Sequence, residues 1–413
     1  MPPQKKAPYS PPVCNNPLLT SALSDHAERC IECKLCVKEC GFLAKYGTPK
    51  QIALGYDPSS RQGQGLPFAC SLCNLCETVC PAKIGLNPAG MFLEMRRESV
   101  SRGAGDFAEH GVILGYEQKG TSKRYSYYGL PAGCDAVFFP GCTLPGTRPD
   151  KVMALFDHLR KSVASLGIVL DCCGKPSHDL GRDNHFHAMF NEMKNFLTNN
   201  GVRQVLVACP SCYRVFKEYG GEIAVRSVYE HMAENGLPAT PAVRAQVTVH
   251  DPCSTRYEDG IQQAVRKLAG EKSLHIEEMK HHGRKTMCCG EGGSAGFLVP
   301  DLAKDWGLRR KNEVRGKTIL TYCAGCAGFL NPVTPTRHIV DLLFEPEKTM
   351  AGKVKVAKAP FTYLNRIRLK SRFKKKIKAR VARERTFTGE KANKNSLLLI
   401  CGKIFSAVLP WKR

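Results

Sequence analysis

Eighteen of the chain's 21 cysteines fall into four compact groups, and only Cys14, Cys134 and Cys401 stand outside them. This grouping limits the fold more than any other feature, because each group has to fold around whatever occupies its thiols. Cysteine makes up about 5% of the 413 residues, more than an ordinary enzyme of a reducing compartment carries and less than a dense disulfide scaffold needs. Metal ligation is the occupation the spacing supports. The length allows roughly two to four domains with real cores. No early stretch combines a basic start, an apolar run and a small-residue cleavage site, and no unbroken apolar run reaches the roughly 18 residues of a spanning helix. The chain therefore reads as unexported and without a membrane span.

Cys30, Cys33, Cys36 and Cys40 follow the pattern C-x2-C-x2-C-x3-C, and Cys70, Cys73, Cys76 and Cys80 repeat it, with Pro81 directly after. This is the bacterial ferredoxin run, in which three cysteines at intervals of three let one tight loop hold three corners of a cubane 4Fe-4S cluster. In two-cluster ferredoxins the fourth cysteine of each run serves the other cluster. That assigns Cys30, Cys33, Cys36 and Cys80 to one cluster and Cys70, Cys73, Cys76 and Cys40 to the other. The competing readings are zinc and structural thiols. Zinc usually pairs two knuckles a dozen or more residues apart, whereas each run here packs four cysteines into eleven residues. Gly41 stands where the motif has proline, and the insert over residues 41–69 is long for a minimal ferredoxin.

The other two groups are an internal repeat. Cys142 is followed by Cys172-Cys173-Gly174 and then by Cys209 and Cys212; Cys253 is followed by Cys288-Cys289-Gly290 and then by Cys323 and Cys326. The gaps are 29 and 35 residues in the first copy and 34 and 33 in the second. Short apolar runs at 136–139, 247–250, 201–208 and 317–322 read as buried strands that deliver a cysteine at a turn. Residues 148–163, 185–197 and 262–269 carry apolar side chains at helical spacing, so each copy reads as an α/β unit with cysteines at strand ends, where ligands usually bind. Adjacent cysteines in extended backbone point to opposite sides, which suits bridging better than a tetrahedral knuckle. A thioredoxin-type redox pair, zinc in one copy and inert buried thiols are the alternatives.

These residues resemble the cysteine-rich, CCG-containing domain of the heterodisulfide reductase family, and with the upstream ferredoxin runs the order resembles its D subunit. Similar relatives are the iron-sulfur subunits of anaerobic glycerol-3-phosphate dehydrogenase and glycolate oxidase and the DsrK-type subunit of sulfate reducers. The resemblance covers about residues 25 to 345. It implies two noncubane 4Fe-4S clusters that flank a substrate disulfide, held by Cys142, Cys172, Cys173, Cys209 and Cys212 and by Cys253, Cys288, Cys289, Cys323 and Cys326. Both sets are complete, which favours a competent site over a degenerate relay.

The predicted architecture is α+β and multidomain. It comprises a flexible arm (1–24), a helical two-cluster ferredoxin module (25–100), a linker (101–133), a first CCG domain (134–237), a second (238–350) and a basic amphipathic tail (351–413). A helix over 86–99 turns Leu86, Met91, Phe92, Leu93 and Met95 inward as core. His250, beside Cys253, could tune a cluster or supply a proton, although a histidine that closes a strand is more often structural. His26, His178, His185, His187, His281 and His282 read as solvated, and Cys14, Cys134 and Cys401 as unliganded. Residues 353–413 carry 19 basic and 2 acidic residues, a net +17 of the chain's +24. There Leu369, Phe373, Ile377 and Val381 step by four through a basic helix suited to an anionic membrane surface or a partner, and Leu397 to Trp411 add an apolar end too short to span. Nucleic acid is the rival partner, but the tail lacks interleaved aromatics and a companion motif.

The function these features imply is an iron-sulfur oxidoreductase subunit. Electrons from a membrane cytochrome-type or flavoprotein partner would pass through two cubane clusters to two noncubane ones that reduce or form a disulfide. The implied location is the cytoplasmic face of the inner membrane, as a peripheral protein. The alternative is a relay that links a flavoprotein dehydrogenase of glycerol-3-phosphate, lactate or glycolate type to the quinone pool. A regulatory zinc and nucleic-acid binding protein is the third and weakest reading.

Overall fold

The structure is a computed structural model that describes residues 11–385 apart from residue 315. It divides into two compact units. The first contains the segment up to His110 together with Ser177–Asp183 and Gly290–Trp306; the second contains Gly111–Pro176, Asn184–Cys289 and the segment from Gly307 onward.

The first unit is helical. Asn16 caps Pro17–Arg29 through its side chain, Thr48 and Gln51 form a capping box on Pro49–Leu54, and Asn87 caps Pro88–Ser101; each of these helices has proline in its first turn. Leu19, Leu23, Phe42, Leu43, Met91, Phe92 and Met95 bury one core among them. The helix expected over 86–99 is present with the inward face as read, save that Leu93 is half-buried and Leu86 precedes the helix. Arg96 is also fully buried on it, in this unit's interior. Its Nε donates to the Pro67 carbonyl (3.1 Å), Nη1 to those of Asp179 (2.5 Å) and Gly293 (2.7 Å), and Nη2 to that of Cys70 (2.5 Å). One guanidinium thus ties three separated stretches of chain to the second cysteine run.

Among the described residues the second unit holds ten strands: β1 (Tyr127–Leu130), β2 (Ala136–Phe139), β3 (Gly167–Leu170), β4 (Gln204–Val207), β5 (Ala224–Ser227), β6 (Ala245–His250), β7 (Leu274–Ile276), β8 (Thr318–Thr321), β9 (Thr336–His338) and β10 (Val381–Arg383). One sheet has the order β10-β1-β3-β2-β4-β5 and the other β7-β6-β8-β9. The parallel sets β3-β2-β4-β5 and β7-β6-β8-β9 have the same topology, so the repeat in the cysteines is a repeat in the fold. Unbroken apolar runs such as Ala-Val-Phe-Phe in β2 are what a strand covered on both faces requires. Phe138, Leu206 and Tyr229 share one apolar cluster with Val249, Leu320, Tyr322 and Ile339, so the two copies have a common core.

Three expectations are corrected here. The arm over 1–24 is not flexible to its end, because Pro17–Arg29 is a helix whose Leu19 and Leu23 lie in the first unit's core. Residues 101–133 are not only a connector. They supply the helix Gly111–Gly120 and strand β1, which pairs antiparallel with β3 and β10; its glycine-tyrosine composition hid a strand whose aromatics are buried. The basic tail does form a helix, Phe361–Lys376, but its apolar line is not offered to a membrane. Leu369, Phe373 and Ile377 sit in the shared core, with Phe373 edge-on to Phe156 at 5.1 Å, and Val381 belongs to β10 rather than to the helix. Four of its cations are matched in place: Arg372 to Asp150, Lys376 to Asp157, and Lys370 and Lys374 to Glu384. The stretch from Leu397 to Trp411 lies outside the described residues. Among the described residues no helix is long and apolar enough to cross a membrane.

Candidate iron-sulfur sites

In the first unit the two ferredoxin runs share an unusual backbone. Glu32 and Lys34 flank Cys33, and Leu72 and Asn74 flank Cys73, all with φ between 49° and 60°. None is glycine, and such left-handed turns at matching positions cost energy unless the surroundings fix them. They curl each loop around its thiols, and the Leu72 N–H donates to the Cys70 sulfur (3.4 Å).

Cys30, Cys33, Cys36 and Cys80 line one cleft of about 420 Å³, open to solvent, with Cys76, Pro49 and Leu86 in its wall. Burial pushes the Cys36 thiol up to about 11, with further upward pressure from Cys30, Cys33 and Cys80. Burial raises Cys76 too, and then Cys70, Cys73 and Cys40. Cys40 is raised by burial and by Cys73 and Cys70. The thiols named for each crossed set lie near one another, and Cys76 of the second set also borders the cleft of the first. The two sets differ in exposure: Cys33 is open to solvent, whereas Cys70, Cys73 and Cys76 are buried. Crowded, buried thiols that repel one another as thiolates are a donor set suited to a multivalent cation, whose charge reverses that repulsion.

The second unit places five thiols at each set of parallel strand ends. In the first copy Cys142 touches Cys172, Cys172 touches Cys173, Cys173 touches Cys212, and Cys212 touches Cys209, an unbroken chain. Hydrogen bonds from Cys172 and Cys212 hold the Cys173 thiol below the ordinary cysteine value against its burial. Gly141 (φ +78°) packs so closely on this set that a Cβ there would lie 3.0 Å from the Cys209 Cβ and 3.3 Å from the Cys212 Sγ. In the second copy Cys253 meets Cys288, and Cys326 meets both Cys289 and Cys323. All 20 described cysteines are free thiols.

Sequence reasoning missed the carboxylates that anchor these loops. Asp171, buried just before Cys172, accepts from the Cys172 N–H (2.7 Å), the Tyr128 hydroxyl and the Arg385 guanidinium (3.1 Å). Asp251, two residues before Cys253, accepts from Arg266 (2.9 and 3.0 Å), the Gly283 N–H (2.7 Å) and the Tyr322 hydroxyl (3.1 Å). No spacing rule marks either one, since their partners are distant in sequence. Tyr116 donates to the Cys142 carbonyl (2.9 Å) while Arg366, on the helix of the basic tail, lies 5.1 Å from its ring. The Tyr229 hydroxyl bonds the carbonyls of Ala208 and Tyr322, one from each copy.

The histidine expectations are partly corrected. His26, His178 and His281 are buried, not solvated: His26 bonds the Ala22 carbonyl, His178 pairs with Asp179 and His281 with Glu313. His185 and His187 are half-buried and His282 is exposed. His250 is fully buried, and burial followed by the Arg310 cation lowers it to about 3, so the ring is neutral. Cys134 bonds the Ala136 carbonyl (3.3 Å), Cys14 is half-buried, and Cys401 lies outside the described residues.

Family models match this arrangement: a 4Fe-4S dicluster domain over residues 29–85 and a cysteine-rich domain twice, over 136–217 and 247–331. The chain belongs to the iron-sulfur proteins that join these domains. It is 26% identical to the B subunit of the CoM/CoB fumarate reductase of Methanothermobacter marburgensis over 363 residues, covering 79% of this chain and 70% of that one. It is 24% identical to the D subunit of the dihydromethanophenazine:CoB–CoM heterodisulfide reductase of Methanosarcina mazei over 343 residues, covering 69% and 83%. An EtfAB:quinone oxidoreductase of Syntrophomonas wolfei is 28% identical over 211 residues, 48% of this chain and 29% of that protein. The fold is the expected mixed α and β multidomain arrangement.

Proposed function

We propose that this chain carries electrons through two cubane 4Fe-4S clusters to two noncubane clusters, where a disulfide is reduced or formed. The observation that carries the reading is the completeness of both five-thiol sets, seven of the ten thiols buried and Cys142, Cys209 and Cys253 half-buried, each set at the ends of parallel strands. Bound clusters would supply one-electron steps. Reduction of a disulfide consumes two electrons and two protons, breaks one S–S bond and yields two thiols, so one electron from each copy completes it. The ligands would be Cys30, Cys33, Cys36 and Cys80, then Cys70, Cys73, Cys76 and Cys40, then the two five-cysteine sets.

Electrons would enter at the first set. Cys33 is exposed, and Ile31 (59% exposed) and Leu35 (42%) present apolar side chains on either side of it, a surface suited to a flavoprotein or cytochrome-type donor. The gap between the two copies beside Cys209, edged by Tyr213, Tyr229, Thr255 and Tyr322, is too tight to admit a ligand, so substrate would approach from the cysteine end instead. A peripheral place on the cytoplasmic membrane face would rest on the sequence beyond Arg385. The relay reading, from a flavoprotein dehydrogenase to quinone, is favoured only by the EtfAB:quinone relative.

The deciding experiment is anaerobic purification with iron and acid-labile sulfide counted per chain. About sixteen of each are expected from four clusters of four; about eight with bound zinc would remove the noncubane sites. In a Cys76→Ser variant, electron input from the natural donor should fall to background while disulfide reduction by a strong artificial reductant is largely kept. Equal loss of both activities would count against a linear path.

A further inference from the structure

The two cysteine-rich copies are alike in their thiols and unlike in one neighbour. Counting back three residues from Cys142 reaches Phe139, and from Cys253 reaches His250; each closes its strand and each is fully buried. The strand register agrees, with Phe139 opposite Val207 and His250 opposite Thr321. Phe139 completes an apolar site, edge-on to Phe216 at 5.2 Å. His250 puts an imidazole in the same place, and neither of its ring nitrogens has a hydrogen-bond partner among the described residues. Thr321 bonds only its backbone carbonyl.

A fully buried N–H without an acceptor costs about 1–3 kcal/mol, so the ring calls for a partner. The groups that face it are the Arg310 cation, the Asp251 carboxylate and two thiols. Arg310 offers no acceptor, and Asp251 is already engaged by Arg266, Gly283 and Tyr322. A ring nitrogen of His250 and the sulfurs of Cys289 and Cys326 lie within 4.8 Å of one another. Sulfur in an iron-bound site carries negative charge and accepts hydrogen bonds, which raises the reduction potential of the centre.

We infer that His250 is a positioning residue that donates an N–H···S hydrogen bond to the second cysteine-rich site, making its potential higher than that of the first, where Phe139 gives no such bond. This rests on the reading that the second site holds a cluster. It orders the two copies: an electron reaching the pair settles first in the second.

The test uses the full-length, anaerobically loaded protein, with redox titration followed by electron paramagnetic resonance. His250→Phe, which copies the first site, should lower the midpoint of one noncubane signal and leave the other signals unmoved; His250→Gln, whose amide can still donate, should restore part of the shift. With ¹⁵N-labelled histidine, the wild-type signal should show a weak nitrogen coupling that vanishes in His250→Phe. Unchanged midpoints in loaded His250→Phe protein would overturn the inference. So would a wild-type signal without nitrogen coupling, which decides the matter even if the variant fails to load, and so would a coupling of covalent size, which would make His250 an iron ligand. An iron count near eight, with no noncubane signal in the wild type, would instead overturn the proposed function itself.

Discussion

Deletion of residues from Lys353 onward is expected to unfold the first cysteine-rich copy and strip its metal. The cut removes Leu369 and Phe373 from the core, takes β10 from the sheet edge and leaves Asp171 buried without Arg385. Emptying core positions of this size costs about 2–5 kcal/mol each, and stripping the partner from a buried charge costs about 3–5 kcal/mol. Together these rival the roughly 5–15 kcal/mol of a whole domain. Because Asp171 adjoins Cys172, the damage falls on the ligand loop itself. A second cut after Arg385 spares all of these groups, so its melting temperature and iron content should match the full chain. The comparison separates the charge of the last residues from the structural part of the basic segment. A protein ending at residue 352 with an unchanged melt and full iron would show that the C-terminal helix is dispensable.

Arg96→Leu should be the most damaging single substitution in the first unit. It leaves the carbonyls of Pro67, Cys70, Asp179 and Gly293 without their donor. Each buried acceptor abandoned costs about 1–3 kcal/mol, so the loss reaches several kcal/mol even after some regain from removing a desolvated cation. Gly293 (φ +60°) and Gly181 (φ +74°) approach the same place so closely that a Cβ at Gly293 would lie 2.7 Å from the Cys70 carbonyl oxygen, and one at Gly181 2.6 Å from the Arg96 carbonyl carbon; the site has no slack to take up. Iron should fall by about half, with near-ultraviolet dichroism of the second unit kept. Arg96→Lys retains the charge but not the planar fork, and should be intermediate. Full iron in the leucine variant would show that the cysteine runs hold their shape unaided.

The legible part of this molecule was the part written in local spacing. Cysteines three apart, strand runs that end in cysteine and the doubled five-cysteine order all lie within short windows, and the parallel strands stand where those runs predict them. What escaped depends on partners far along the chain. The apolar line of the basic helix was visible, but its mate Phe156 lies more than two hundred residues away, so the line looked like a free surface. Arg96 reads as an ordinary charge on an amphipathic helix, because backbone carbonyls leave no mark in sequence. Strand β1 was hidden by glycine and tyrosine, which connectors and buried edges both use. Asp171 and Asp251 are single carboxylates with no motif, legible only once Arg385 and Arg266 are seen beside them.

The discontinuous first unit also sets a timetable. Most of it leaves the ribosome by His110, yet two of the carbonyls that Arg96 grips come from Asp179 and Gly293. At about 5–20 residues per second, the nearly two hundred residues in between take on the order of 10–40 s to synthesise. For that interval the eight ferredoxin-run cysteines are present without the downstream carbonyls that Arg96 grips in the finished fold. Completion of this module therefore waits on synthesis of the segments around Asp179 and Gly293 that Arg96 holds.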